Sequence, residues 1–301
     1  MTKLNSVCVR VPATTANLGP GFDCLGLALD IWNEVQFTPK GNGYHVDIEG
    51  EGDRQLAQDR SNLIFQAAEK LFKLEGVAFP QGMSLHCKNA IPVSSGLGSS
   101  ASALIAGLLG AKRMLNSGIS NTDLLALAAD FEGHADNVAA CLLGGLVAAL
   151  RTEDGWMSEK IPVQPLHAVI VLPEIQLSTQ EARAVLPQTV SRADAIGNIG
   201  RAVLLVNALR DGRRDLFRIA MQDCLHQPFR LALMPGAADA LQAAYDGGAY
   251  GAALSGAGPS LIAFADDKLE GIGQAMQDAY NTQGIASRVF FTYSTNLGAA
   301  Y

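Results

Sequence analysis

The stretch Pro92-Val93-Ser94-Ser95-Gly96-Leu97-Gly98-Ser99-Ser100-Ala101-Ser102-Ala103 decides how this chain reads. It leads into a run from Ser99 to Leu115 that is rich in Ala, Leu, Ile, Gly and Ser, which predicts a helix buried on every side and entered from a glycine loop. The first turn of a helix leaves backbone N–H groups unpaired and carries about half a positive charge, so it binds anions without a basic side chain. Gly96 and Gly98 let the backbone come close to such an anion. They also permit positive φ, which turns successive N–H groups into one concavity. The hydroxyls of Ser94, Ser95, Ser99 and Ser100 suit a phosphate and a metal ion, whereas burial in an apolar core would leave them desolvated. A plain packing role for a helix start explains the alanines better than it explains these serines.

Two other phosphate loops compete with this reading. A Walker A loop needs Lys followed by Ser or Thr after its last glycine, and no Lys occurs between Lys88 and Lys112. Gly96-Leu97-Gly98-Ser99-Ser100-Ala101 fits a loose GxGxxA dinucleotide pattern, but Pro92 and two serines separate it from the preceding strand. The acidic residue expected about 20 positions on, Asp123, falls at a helix start.

Around the loop, 301 residues correspond to about two average domains. Hydrophobic residues at 49% and charged residues at 17% describe a packed globular chain. A net charge of -7 argues against a nucleic-acid partner, because duplex binding requires many Lys and Arg. Cys8, Cys24, Cys87, Cys141 and Cys224 are odd in number and never form CxxC, which speaks against a disulfide framework or a zinc site and for a reducing cytoplasm. Met1 to Val11 has no apolar core of signal-peptide length. The longest apolar run, Val138 to Leu150, is interrupted by Gly144 and Gly145 and is short of the ~20 residues of a membrane span. The expectation is a cytoplasmic protein with no membrane partner.

Period-2 patterns predict strands at Val7 to Val11, Leu25 to Leu29, Trp32 to Thr38, Tyr44 to Glu49 and Ser84 to Lys88, with a loop from Ala13 to Gly21. Helical spacing predicts Leu63 to Leu74, and a helix from about Asn121 to Glu132 is stopped by Gly133. Asp154 to Pro165 is polar and turn-rich and marks the domain boundary, giving domains at 1–160 and 161–301. The second half predicts a strand at Ala168 to Leu172, helices at Thr179 to Ala184, Ser191 to Leu209 and Arg213 to Met221, then helix, two strands, helix and a last strand at Ser287 to Thr292. This order is that of an α+β sandwich.

With its loop, the sequence resembles the GHMP kinases, the family of galactokinase, homoserine kinase, mevalonate kinase and phosphomevalonate kinase, whose loop reads PxxxGLGSSA. Two further segments carry the resemblance: Val11-Pro12-Ala13-Thr14-Thr15-Ala16-Asn17-Leu18-Gly19-Pro20-Gly21-Phe22-Asp23-Cys24-Leu25-Gly26 and Ala253-Leu254-Ser255-Gly256-Ala257-Gly258-Pro259-Ser260. The first, and Glu132-Gly133-His134-Ala135-Asp136-Asn137-Val138, are most similar to the homoserine kinase members, with Ala135 and Ala140 in place of prolines.

The resemblance implies a two-domain GHMP kinase fold, with a ribosomal protein S5 domain 2-like N-terminal domain and a ferredoxin-like C-terminal sandwich. It implies ATP and Mg²⁺ as cofactors, L-homoserine as acceptor on a route to threonine, and a homodimer as the association found in relatives. ATP would meet Asn62, with Ser61 beside it, and Pro92, Val93, Ser94, Ser95, Gly96, Leu97, Gly98, Ser99, Ser100, Ala101 and Ser102. Ser100 and Glu132 would hold Mg²⁺, and Asn137 joins them as a catalytic residue. Asn17, Asp23, His134, Asp136, Asn137, Thr179, Arg183, Arg230 and Gly256 would bind the acceptor, Asp23 taking an ammonium and the arginines a carboxylate. His134 with Asp136 also invites a general-base reading, though positioning and metal electrostatics suffice for a loose phosphoryl-transfer transition state. The competing functions are a GHMP-type kinase for another small alcohol, a non-catalytic regulatory member of the fold and a nicotinamide-dependent oxidoreductase.

Overall fold

In the computed structural model, residues 4–301 are described; Met1 to Lys3, which the sequence reading places in the N-terminal domain, lie outside the described residues. Alternating Val7, Val9 and Val11 begin strand β1 (Val7–Asn17), which pairs antiparallel with β2 (Gly21–Lys40) along its whole length. The loop expected from Ala13 to Gly21 is therefore a strand as far as Asn17. Pro12 pairs with Trp32 and Ala13 with Leu29, so the ladder absorbs two extra residues of β2 at a bulge beside the proline. Ala13 to Ala16 are small because they are fully buried beneath other backbone. The separate segments Leu25 to Leu29 and Trp32 to Thr38 are likewise one strand, bent at the same bulge.

Next come β3 (Gly43–Gly50), α1 (Leu63–Leu74), β4 (Gly82–Asn89), α2 (Ser99–Leu115), α3 (Asn121–Glu132), α4 (Asp136–Leu143), β5 (Leu146–Thr152) and β6 (Gly155–Ile161). The sheet runs β3-β4-β2-β5-β6, with β1 also on β2; β3 and β4 are parallel and the other pairs antiparallel. Phe65, Leu71, Phe72 and the apolar faces of α2 and α4 pack on Val9, Phe37 and Leu85 of this sheet. The apolar run after Val138 is interrupted at Gly144-Gly145 as the sequence implies, forming a short helix and then a strand. One element differs from expectation: the segment from Asp154, read as turn-rich, holds an edge strand, in which β6 pairs with β5, and its half-exposed position explains its polarity.

The chain then enters β7 (His167–Pro173), α5 (Thr179–Ala184), α6 (Arg192–Asp211), α7 (Arg214–Ala220), α8 (Gln227–Leu231), α9 (Ala237–Asp246), β8 (Gly251–Leu254), β9 (Leu261–Phe264), α10 (Leu269–Asn281) and β10 (Ser287–Tyr293). The second sheet, β10-β7-β9-β8, is wholly antiparallel and has the strand order of a ferredoxin-like unit. Its Val169, Val171 and Ala263 pack against α9 and α10 through Ala240, Ile272 and Met276. A further cluster joins the two halves: Leu27 and Leu29 of β2 meet Ile170, Ile262 and Phe264 of the second sheet and Leu205 and Phe217 of α6 and α7. Each such side chain contributes about 1.5–3 kcal/mol on full burial, so the halves are held in one arrangement.

Candidate active site

Three segments distant in sequence meet at the loop before α2. Thr14 N donates to Leu97 O (3.1 Å), Gly256 N to Ala16 O (3.1 Å) and Ser260 N to Ser95 O (3.1 Å), while Ser255 Oγ donates to Gly96 O (2.8 Å). Gly96 (φ 82°) and Gly98 (φ 72°) are left-handed, and a Cβ on them would strike the Ser255 carbonyl and the Thr14 hydroxyl respectively. Ser94 is left-handed too (φ 52°), so the conformation alternates through residues 94, 96 and 98 and gathers backbone N–H groups into a concavity. Gly98 caps α2 without a side-chain hydrogen bond, which leaves the first-turn N–H groups for an anion.

A cleft of about 510 Å³ opens over this concavity. At one end it is lined by Val11, Val35, Ile48, Leu56 and Asn62, a surface suited to a flat, partly apolar group. Asn62 is occupied structurally: it caps α1 by accepting from Ile64 N and donates to Ala57 O (2.7 Å). Not every loop residue faces the cleft. Pro92 and Leu97 are buried beneath it, and the Ser95 hydroxyl is turned inward to Pro92 O (2.7 Å), as Ser102 is to Ser99 O (2.8 Å). Of the four hydroxyls that the sequence offered, Ser94, Ser99 and Ser100 remain toward the cleft.

Glu132 ends α3, whose last turn holds no basic residue, so its charge sits at the unfavourable end of the helix dipole. Its Oε1 is buried without a hydrogen-bond partner. An orphaned carboxylate oxygen beside a phosphate-sized concavity is what a cation ligand requires, and with the Ser100 hydroxyl it offers the one or two protein oxygens that Mg²⁺ takes. Glu132 Oε2 lies 3.7 Å from His134 Nε2, and His134 Nδ1 donates to Asp136 Oδ1 (2.7 Å). Burial alone would lower the His134 pKa, but the Asp136 hydrogen bond and the nearby Asp136 and Glu132 charges outweigh it, and the net shift is upward. Asp136 is itself only 2% exposed, and its Oδ1 also accepts from Asn137 N. It therefore faces the cleft through His134 and Asn137. Asn137 Oδ1 accepts from Thr14 Oγ1 (2.8 Å), which ties α4 to β1 beneath Gly98.

At the other end the charges are arranged for a zwitterion. Both Arg183 Nη atoms donate to the Asp23 carboxylate, each at 2.8 Å, joining α5 to β2. The bond to Asp23 raises the Arg183 pKa further. Arg230 is 1% exposed, and burial, helped by the Arg183 charge, pushes its pKa down to about 10, which leaves it a cation at neutral pH. Both guanidinium groups lie over the Phe22 ring, Arg183 at 5.8 Å and Arg230 at 5.0 Å. Asn17 donates to Gly256 O (2.7 Å) and accepts from Asp23 N (3.0 Å), so it and Gly256 hold the Asp23 turn, in which Asp23 is left-handed (φ 56°). Thr179, in the first turn of α5, lines the same end.

Residues 62–145 match the GHMP kinases N terminal domain and residues 205–282 the GHMP kinases C terminal. The chain is 42% identical over 304 residues to a homoserine kinase of Microchaete diplosiphon, covering 100% of this chain and 98% of the relative. It is 38% identical to one of Carboxydothermus hydrogenoformans, covering 97% and 96%. This chain belongs to the homoserine kinases of the GHMP family.

Among solved structures it superposes on the homoserine kinase from Cytophaga hutchinsonii with a TM-score of 0.86 at 33% identity, covering 100% of this chain and 98% of that one. It shares the fold of a mevalonate kinase from L. major solved with R-mevalonate (TM-score 0.71, 18% identity, covering 98% and 96%). The α+β fold of the GHMP kinases is thus the fold of this chain. Its cleft also uses residues to which the sequence reading gave no role. Thr14 supports Asn137, Phe22 underlies both arginines, and His226 stacks on Phe22 with ring centroids 5.0 Å apart. His226 stands four residues before Arg230, one turn away on the same helical face, and that spacing was the available signal. Among the described residues no helix is long and apolar enough to cross a membrane.

Proposed function

We propose that this chain transfers the γ-phosphoryl group of ATP to the side-chain hydroxyl of L-homoserine, giving ADP, O-phospho-L-homoserine and a proton, on a route to threonine. One observation carries the proposal: a single cleft joins an amide-lined, lysine-free anion site to the Asp23, Arg183 and Arg230 set, which matches an amino acid's ammonium and carboxylate.

The loop N–H groups hold the triphosphate, and the adenine lies toward Val35, Ile48, Leu56 and Asn62. Ser100 and Glu132 would hold Mg²⁺, which supplies charge neutralisation on the phosphates. The acceptor's carboxylate takes Arg230 and Arg183, and its ammonium takes Asp23 by opening the Asp23–Arg183 pair. Thr179 and the Gly256 backbone close this end. Asn137 and His134, fixed by Thr14 and Asp136, orient the hydroxyl in line with the phosphorus. The reading extends to a reducing cytoplasm, supported by five free cysteines, and to a homodimer, for which α6 offers an apolar stripe of Ile196, Ile199 and Val203, each more than half exposed.

The test is ADP release with Mg²⁺-ATP and L-homoserine, R-mevalonate, galactose or L-serine. Turnover is expected to be greatest with L-homoserine; turnover with another acceptor and none with L-homoserine would keep the family and overturn the substrate. Light scattering, expected to report a dimer that Ile199→Asp dissociates, tests the association.

A further inference from the structure

His226 is fully buried and makes three contacts that together span the acceptor end of the cleft. Its Nε2 lies 2.8 Å from Gly19 O, and its Nδ1 lies 3.2 Å from Arg230 Nη1. A carbonyl only accepts and a guanidinium only donates, so the partners fix the ring as neutral, with the proton on Nε2 and a lone pair on Nδ1. The ring face stacks on Phe22 at an interplanar angle of 19°. Through Gly19 and Phe22 the imidazole supports the turn that presents Asp23; through Nδ1 it directs Arg230. Arg230 in turn donates from Nε to Ala182 O (3.0 Å), next to Arg183, and from Nη1 to Gly256 O (3.3 Å). One neutral ring therefore aligns the carboxylate-binding and ammonium-binding sides of the site.

We infer that His226 is a positioning residue for the amino-acid acceptor and that its protonation on the acid side disengages Arg230 and weakens acceptor binding while sparing ATP. This rests on the functional reading above. A second proton has only Nδ1 to occupy, where it would replace the lone pair facing Arg230 and set an imidazolium against a guanidinium. The charged groups around the ring are Asp223, whose Oδ2 is 3.6 Å from Nε2, Asp23 on β2, Arg230 on α8, and Arg183 on α5 beyond Phe22. Asp223 is already committed to N–H groups of Leu225, His226 and Gln227 at the start of α8. Burial first, and then Arg230, hold the His226 pKa below the ordinary imidazole value in spite of Asp223, Asp23 and the Gly19 bond. The transition thus falls below the ordinary imidazole range, and the site is assembled at neutral pH.

Initial rates from pH 5 to 8 test the inference. In the wild type, acceptor KM is expected to rise at least tenfold toward pH 5 while ATP KM moves less than threefold. His226→Phe keeps a stacking ring and loses both hydrogen bonds; its acceptor KM is expected to rise tenfold or more at pH 8 with kcat and ATP KM within threefold. His226→Asn returns an acceptor near Nδ1 and does not titrate, so it should recover part of the affinity and flatten the acid limb. An unchanged acceptor KM in His226→Phe, or an acid limb that persists in His226→Asn, overturns the inference. If wild type does not phosphorylate homoserine, the functional reading fails first. Imidazole ¹⁵N NMR then judges His226 separately, the neutral Nε2–H form at pH 7 supporting the assignment and an imidazolium overturning it.

Discussion

Glu132→Gln separates a functional carboxylate from a structural one, because the two roles give opposite signs in stability. Without a cation, Glu132 places a negative charge at the C-terminal end of α3 and leaves Oε1 buried and unpartnered. A charge at the wrong helix end costs about 0.3–1 kcal/mol, and an unsatisfied buried polar atom about 1–3 kcal/mol. The attraction to His134 at 3.7 Å returns part of this. The neutral amide removes the first cost and part of the second, so the metal-free variant should be as stable as wild type or more so, with Tm higher by about 2–4 °C per kcal/mol gained. Activity should move the other way. Losing a charged ligand that balances developing phosphoryl charge is expected to lower kcat/KM by about 10²-fold or more, with the Mg²⁺ dependence displaced to higher concentration. Differential scanning fluorimetry in EDTA and an ADP-coupled assay across a Mg²⁺ titration measure the two effects. A fall of several degrees in Tm, or activity within threefold of wild type at equal Mg²⁺, would rule out the cation-ligand role of Glu132.

Gly98→Ala forces a side chain into a left-handed position at about 1–2 kcal/mol and drives its Cβ onto the Thr14 hydroxyl, so ATP KM should rise at least tenfold in initial-rate measurements. Asp23→Asn and Arg183→Met each remove one side of a bidentate pair; by the ~1.5–3 kcal/mol of a charged hydrogen bond, acceptor KM should rise about 10- to 150-fold with ATP KM nearly constant. The buried Asp223 has its pKa lowered: burial opposes this, but the charge that His226 takes up only on the acid side and the Gln227, His226 and Asn198 bonds outweigh it. A depressed folded pKa gives stability that is present above the unfolded value, near 3.9, and is lost as pH falls through the folded one. The urea midpoint should therefore decline from pH 5 to 3 in wild type and decline less in Asp223→Asn, which should be less stable at pH 7.

Where local pattern and tertiary role agree, the sequence was a good guide. Leu63–Leu74, Ser99–Leu115 and Thr179–Ala184 are helices at the residues that their spacing marks. It misled where small or polar residues answer to a distant partner. Ala13 to Ala16 looks like a turn because the loop before α2 and the Gly256 turn press on its backbone, and Gly155–Ile161 looks turn-rich because it is a polar edge strand. The cleft shows the same division. Ser100, Glu132, Asp23 and Arg183 stand in recognisable motifs, but that Asp23 and Arg183 pair with each other depends on contact across 160 residues of chain. Ser95 could not be told from Ser94 or Ser99 by composition, since only the left-handed turns decide which hydroxyl faces inward.

Which atom receives the phosphoryl group is measured most directly by ³¹P NMR of the purified chain with Mg²⁺-ATP and L-homoserine. Equimolar ADP and a new phosphomonoester whose phosphorus couples to the protons on the γ-carbon of homoserine are expected. Inorganic phosphate with no such ester, or phosphorus attached elsewhere on the acceptor, would contradict it.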